Sequence, residues 1–301
     1  MANILITGGS GSIGKHLIPR LLFAGHKVSI IGRSRKHIHG VDSFVWDIEK
    51  GQIEEGALDG VTHIIHLSGA GIADKLWSPV RKREIIESRV KPLQMLVEDL
   101  LSRNQRIKAI ISSSAVGYYG ASTSQKIYAE TDPSANDFLG TTCQMWEDGA
   151  QLFKPLADRE VRIRTSVVLM KEGGALPKLS KPVKFGVGAP VGTGKQWMPW
   201  IHIVDLARVY VKAVEDTDMS GAYNATASQH VSQKWMIDGI GKAIGRPVFL
   251  PPVPGFLVKT VLGEMAAVIT EGSRVSNQKL LDAGFEFKYP HLQPALDNLL
   301  K

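Results

Sequence analysis

A single cysteine, Cys143, in 301 residues excludes an intrachain disulfide and any cysteine-rich zinc cluster, and fits a reducing compartment. No apolar run is long enough to span a bilayer, so no membrane partner is expected. A strand pattern begins at Asn3, which leaves no room for a signal peptide and makes the cytoplasm the expected address. Low-complexity tracts, collagen-like periods and acidic tails are also missing, so the whole chain is expected to fold. The formal charge is +7, but the lysines and arginines are not gathered in one stripe with interleaved aromatics, so no nucleic-acid partner is expected. The densest basic cluster runs from Arg33 to Lys36, with His37 and His39 beside it.

What is present alternates strand with helix. Ile4–Thr7, Val28–Ile31, Ser43–Trp46, His63–Leu67, Ala109–Ser112 and Val161–Ser166 read as strands, with helices through Leu17–Leu22, Val80–Leu101 and Gln144–Leu156. That alternation predicts an α/β fold, a Rossmann-type doubly wound parallel sheet. After about Val168 glycine, proline and short elements dominate, with helices expected at Val204–Glu215, Lys234–Ile244, Leu257–Ile269 and Gln278–Ala283. The expected division is a dinucleotide-binding domain over 1–170, completed by about 202–230. A smaller C-terminal substrate lobe would comprise 171–201 and 231–301.

Between the first strand and the first helix lies Thr7-Gly8-Gly9-Ser10-Gly11-Ser12-Ile13-Gly14, with glycines spaced as Gly-x-Gly-x-x-Gly from Gly9 and as Gly-x-x-Gly-x-x-Gly from Gly8. A strand, a glycine turn and a helix start in that order let backbone N–H groups face a pyrophosphate, with Gly8, Gly11, Ser12, Ile13 and Gly14 forming the cradle; the alternative is a turn that binds nothing. At the end of the second strand an NAD site places a carboxylate for the ribose hydroxyls. Here stand Gly32-Arg33-Ser34-Arg35, where guanidinium groups can grip a 2′-phosphate, so NADP(H) is the expected cofactor unless Arg33 and Arg35 are only solvated surface charges. Asp47, before Ile48, is placed to cap the adenine or simply to shape a turn.

Together with these, His66-Leu67-Ser68-Gly69-Ala70 and Ser112-Ser113-Ser114-Ala115-Val116 resemble the extended short-chain dehydrogenase/reductase superfamily, in its epimerase/dehydratase branch. More narrowly, Ile72–Trp77, Ser88-Arg89-Val90, Ala115–Gly120, Gly194–His202 and Lys279–Phe285 resemble an atypical epimerase-like family once labelled cell-division-inhibitor homologues. From about Arg246 the chain is similar to that family's small C-terminal domain. The resemblance implies an NADP-dependent oxidoreductase or epimerase-like enzyme acting on a small molecule, with Leu67, Ser68, Gly69 and Ser112 against the cofactor. It also leaves open a homodimer through sheet-flanking helices.

The superfamily uses a serine to hold the substrate oxygen, a tyrosine to exchange its proton and a lysine four residues on. Ser114 matches the serine, but Cys143 and Glu147 fall at the tyrosine and lysine positions, and Arg89 stands where a helix asparagine is usual. A thiol titrates near about 8.5, and a carboxylate beside it raises that further, so Cys143 is either a thiolate supported by Arg89 or a buried small hydrophobe. Glu147 either bonds the nicotinamide ribose in place of lysine or is a solvated helix residue. Tyr118 and Tyr119 lie at the strand end where ligands bind, as a proton donor or as loop packing, and Glu130 is either an acid/base if desolvated or, more simply, part of an acidic turn before Pro133. On the substrate side stand Arg89, Tyr118, Gln196, Trp197 and Trp200, the tryptophans forming either a pocket wall or core. His202 with Asp205 reads as a dyad or, more simply, as a strand-to-helix junction capped by the aspartate. No metal is expected. Without the tyrosine and lysine, the alternative is a catalytically silent NADP(H)-binding regulatory module.

Overall fold

A computed structural model describes residues 1–301. The first part of the chain runs β1 (Asn3–Thr7), α1 (Ser12–Phe23), β2 (Lys27–Gly32), β3 (Asp42–Asp47), β4 (Gln52–Ile53), β5 (His63–His66), α2 (Pro79–Ser102), β6 (Ile107–Ala115), β7 (Ile127–Tyr128), α3 (Phe138–Gln151) and β8 (Ala157–Thr165). It continues through β9 (Val167–Leu169), α4 (Leu176–Lys184), β10 (Trp200–His202), α5 (Ile203–Glu215), β11 (Gly221–Ala225) and α6 (Gln233–Ile244). The last elements are α7 (Gly255–Leu262), α8 (Ala267–Thr270), β12 (Arg274–Val275), α9 (Gln278–Asp282) and α10 (Leu292–Leu300). Eight strands form one sheet in the order β11-β8-β6-β5-β1-β2-β3-β4, parallel except for the β3–β4 hairpin.

Alternation along β1 builds two cores from one strand, because successive side chains point to opposite faces. Ile4 and Ile6 join Leu17, Leu21, Leu206 and Tyr210 under α1 and α5, whereas Leu5 joins Ile64, Leu93, Leu96 and Phe153 under α2 and α3. A third core, with Leu176, Trp200, Met236, Ile240 and Leu296, belongs to the smaller lobe. The chain leaves β1 toward β2 and β3, then crosses back to β5 on the other side of β1, which creates a switch point where Thr7 and His66 lie in register. Ligands of open α/β sheets bind at such a crevice.

Several expectations need correction. The helix expected over Gln144–Leu156 begins six residues earlier, because Asp137 caps it by accepting from the Gly140 amide at 2.8 Å. The stretch Leu257–Ile269 is not one helix: Gly263, at φ 56°, breaks it into α7, a 3-10 turn over Gly263–Ala266, and α8. Strand β11, which extends the sheet beside β8, is absent from the expected strands because Gly-Ala-Tyr-Asn-Ala has only Tyr223 as a strand-favouring residue. Asp205 does not cap α5. His202 does, its Nδ1 accepting from the Val204 amide at 3.1 Å, while Asp205 accepts from the Lys288 and Tyr289 amides at 2.8 Å and ties the C-terminal segment down.

Candidate functional site

The glycine turn sits at the switch point. Gly8 has φ 66°, and a β-carbon there would lie 2.9 Å from the carbonyl carbon of Leu67 and the amide nitrogen of Ser68. At Gly14 an added β-carbon would lie 1.9 Å from the Gly9 carbonyl oxygen, so helix and turn close on each other only without a side chain. Gly11 is the N-cap of α1 and offers no side-chain hydrogen bond, unlike Ser78, Asp137 and Ser232 at the starts of α2, α3 and α6. The first-turn amides beginning at Ser12 and Ile13 therefore lack a side-chain cap, beside exposed Ser10, Gly11 and Ser12. This cradle fits an anionic pyrophosphate: open backbone, uncapped amides and a helix N-terminus.

At the adenosine end the two arginines separate. Arg33 is exposed and has neither a hydrogen bond nor an ion pair. Arg35 is already engaged, donating to the Ser43 carbonyl at 2.6 Å and pairing with Glu54 of the hairpin just past β4. Asp47 is likewise occupied: its Oδ1 accepts from the Glu49 and Lys50 amides at 3.1 and 3.2 Å and shapes the hairpin turn. No carboxylate from β2 faces Arg33, whose charge is free for an incoming anion.

Behind the glycine turn the Leu67–Ala70 segment is pinned to β1 and α2. The Leu67 amide donates to the Thr7 carbonyl at 3.1 Å and the Ser68 amide to Thr7 Oγ1 at 3.3 Å. Arg89 is buried; its Nη2 donates to the Ala70 carbonyl at 3.0 Å, its Nη1 to the Ile85 carbonyl at 2.7 Å, and its guanidinium lies 4.9 Å from the Trp146 ring centroid. Gly69 makes room for it, since a β-carbon there would come within 3.1 Å of the guanidinium carbon. His66 accepts from Thr7 Oγ1 through Nδ1 at 2.8 Å and donates through Nε2 to the Arg89 carbonyl at 3.1 Å, an arrangement that requires the neutral Nε2–H tautomer. Burial pushes its pKa down to about 3.

Ser114 and Glu147 join a buried polar network. Glu147 is 1% exposed, not a solvated helix residue. Its carboxylate accepts from Ser114 Oγ at 2.8 Å, from Arg164 Nε and Nη2 at 2.7 and 2.9 Å, and from Arg162 Nη1 at 3.0 Å. Burial works against the Arg164 charge, but the Glu147 carboxylate more than offsets that and raises its pKa. Arg164 also donates to Tyr119 Oη at 2.9 Å and stacks 3.5 Å from the Tyr118 ring centroid. Tyr119, 2% exposed, donates to Asn224 Oδ1 at 2.8 Å, and burial pushes its pKa up to about 12. Burial, with the Glu147 charge added, raises Cys143 to about 12 as well. Glu130 holds strand β11, its Oε1 accepting from the Asn224 amide at 2.8 Å. Ser112 is buried and donates to the Ser113 carbonyl at 3.0 Å.

Arg162 and Arg164 were missed in the sequence. Their signal was two arginines at i and i+2 flanking Ile163, on one face of a strand interior to the sheet: two charges there need a buried carboxylate opposite.

Of the residues expected on the substrate side, Trp200 lies in the third core, its indole N–H donating to the Gln229 carbonyl at 3.1 Å. Trp197 is only partly buried, donates to the Ser124 carbonyl at 3.0 Å and carries the Arg274 guanidinium 4.6 Å from its ring centroid. Gln196 Nε2 donates to the Val191 and Ile269 carbonyls at 2.9 and 3.0 Å, which leaves its buried Oε1 without a partner. His202 stacks on Tyr289, ring centroids 3.9 Å apart, and burial lowers it to about 4.

Comparison with known proteins agrees with this architecture. Residues 4–138 match the NAD dependent epimerase/dehydratase family, and residues 253–299 match a domain of unknown function, DUF1731. The epimerase family protein YfhF of Bacillus subtilis is 34% identical over 299 residues, covering 99% of this chain and 98% of its own. The crystal structure of human epimerase family protein SDR39U1 (isoform 2) with NADPH superposes with a TM-score of 0.88 at 29% identity, over 99% of this chain and 98% of that one. A nucleoside-diphosphate sugar epimerase from Corynebacterium glutamicum gives a TM-score of 0.78 at 29% identity, over 99% of this chain and 58% of that one.

Proposed function

The chain belongs to the epimerase family of the NAD-dependent epimerase/dehydratase group, and from that premise we propose that it binds NADP(H) and serves as an oxidoreductase or epimerase for a small molecule. The observation that carries the cofactor reading is the uncapped, side-chain-free turn at Gly8–Gly14 with the unpaired Arg33 guanidinium at the end of β2. That the human relative was crystallised with NADPH supports it.

In this reading residues 1–170 and 202–230 hold the cofactor, while 171–201 and 231–301 face the substrate. Amides at the start of α1 take the pyrophosphate, Arg33 the 2′-phosphate, and Leu67, Ser68 and Gly69 approach through their backbone. Bound NADP(H) would supply hydride chemistry. The protein's own part is positioning: the only proton on Ser114 is committed to Glu147, so its free lone pairs accept a bond from a substrate hydroxyl. Glu147, held by two guanidinium groups, keeps Ser114 in that orientation. Gln196 and Trp197 offer an acceptor and an apolar ring on the opposite side.

One observation favours a second reading, the silent NADP(H)-binding module. Cys143 and Tyr119 are both pushed up to about 12, so neither trades a proton readily near neutral pH. Screening small hydroxyl and carbonyl compounds for cofactor turnover separates the two readings.

The cofactor assignment is tested with Arg33→Ala and Arg35→Ala. A charge-assisted bond to phosphate contributes roughly 1.5–3 kcal/mol, discounted at an exposed site, so Arg33→Ala is expected to weaken NADPH binding about tenfold and leave NADH unchanged. Arg35→Ala is expected to do less, since Arg35 already serves Glu54 and Ser43. Equal losses for both cofactors overturn the assignment.

A further inference from the structure

Two segments of the chain, 173–204 and 239–263, contain no aspartate or glutamate. The first carries Lys178, Lys181, Lys184 and Lys195; the second carries Lys242, Arg246 and Lys259. Together they account for the entire formal charge of +7, so the rest of the chain is balanced. The fold joins them side by side: Val191 and Val253 form a parallel bridge, the Gly192 amide donates to the Val253 carbonyl at 2.8 Å, and the Val253 amide to the Pro190 carbonyl at 2.8 Å. All seven cations are exposed, and only Lys178 has a carboxylate within reach, Asp74 at 3.9 Å.

The same two segments expose large apolar side chains. Phe185 and Val187 follow α4, Phe249 precedes α7, and Phe256 and Val261 lie on it, all more than half exposed. Helix α7, Gly255–Leu262, reads Gly-Phe-Leu-Val-Lys-Thr-Val-Leu and has no buried residue at all. Val258 and Leu262 are half-buried, but Phe256, Leu257 and Val261 face water, and exposed apolar patches of this kind mark contact surfaces. A second copy is a poor occupant, because a self-paired patch sets like charges against like. Anionic lipid satisfies both components, neutralising the lysines while the aliphatic and phenyl groups enter the acyl boundary.

We propose that this basic, apolar end of the smaller lobe docks the protein on an anionic lipid surface. The contact is peripheral: no helix is long and apolar enough to cross a membrane. The expectation of no membrane partner rested on the missing span, which does not bear on surface contact. It is independent of the cofactor reading, since none of these residues belongs to the nucleotide cradle.

The test is co-sedimentation of the full chain with vesicles of phosphatidylcholine alone or with about one-third phosphatidylglycerol. Binding is expected only to the anionic vesicles and is expected to fall steeply with added salt. Lys184→Glu with Lys259→Glu is expected to weaken it by at least about tenfold, and Phe256→Ser with Val261→Ser by about tenfold. These side chains are exposed, and an unchanged melting temperature shows that the variants fold. No preference for anionic vesicles, or wild-type binding by both variants, overturns the proposal. So does dimerisation that the Phe256/Val261 variant abolishes, or tighter binding to an RNA oligonucleotide than to vesicles.

Discussion

Glu147→Gln probes the buried network most directly. The carboxylate accepts four hydrogen bonds, from Ser114, twice from Arg164 and once from Arg162. Glutamine keeps one acceptor oxygen and turns an NH2 group toward donors, leaving Arg164 buried without a counter-charge. Breaking one side of a buried pair costs about 3–5 kcal/mol. With unfolding entropy near 2.1 cal/mol/K per residue, a chain of 301 residues has about 0.6 kcal/mol/K, so the melting temperature should fall by about 5–8 °C. Differential scanning calorimetry reads this, and pairing Glu147→Leu with Arg164→Met completes a cycle in which the double variant loses less than the sum of the singles. A melting temperature within about 1 °C of wild type, as a surface ion pair would give, refutes the argument that Glu147 is the keystone of the network.

Two further outcomes follow from the same geometry. Cys143, buried with its pKa raised to about 12, should resist iodoacetamide at pH 8 in the folded protein and react at once in denaturant; Cys143→Ala should leave NADPH affinity unchanged. His66 has a folded pKa near 3 against 6.5 when unfolded, so the unfolded state binds the extra proton as pH falls between those values. Its contribution is fully present above pH 6.5 and is lost toward pH 3 at about 1.4 kcal/mol per pH unit. Urea unfolding at pH 6.5 and 4.5 should therefore show a loss of about 2 kcal/mol from this residue, absent in His66→Gln.

The fold was legible where its causes are local. Ile4–Thr7, the glycines and the α1 pattern specify strand, turn and helix within two dozen residues, and the need for glycine at Gly8 and Gly14 follows from the close backbone approach. What could not be read depends on distant partners. Whether Arg33 or Arg35 is free turns on Glu54, brought alongside by the β3–β4 hairpin. Glu147 is clamped rather than solvated only because β8 delivers Arg162 and Arg164 beneath α3. Asp205 looked like a helix cap, but its partners, Lys288 and Tyr289, are more than eighty residues away. The break at Gly263 has a local signal, a glycine within an apolar run.

The turn at the switch point is expected to hold a phosphorylated dinucleotide. Titrating the purified protein with NADPH, NADH, NADP and NAD while following the fluorescence of its six tryptophans tests it. Saturable binding of NADPH and NADP is expected, with NADH and NAD weaker by about tenfold or more. Equal affinity for all four would remove Arg33 from the site, and no binding to any would leave the glycine turn as a structural feature alone.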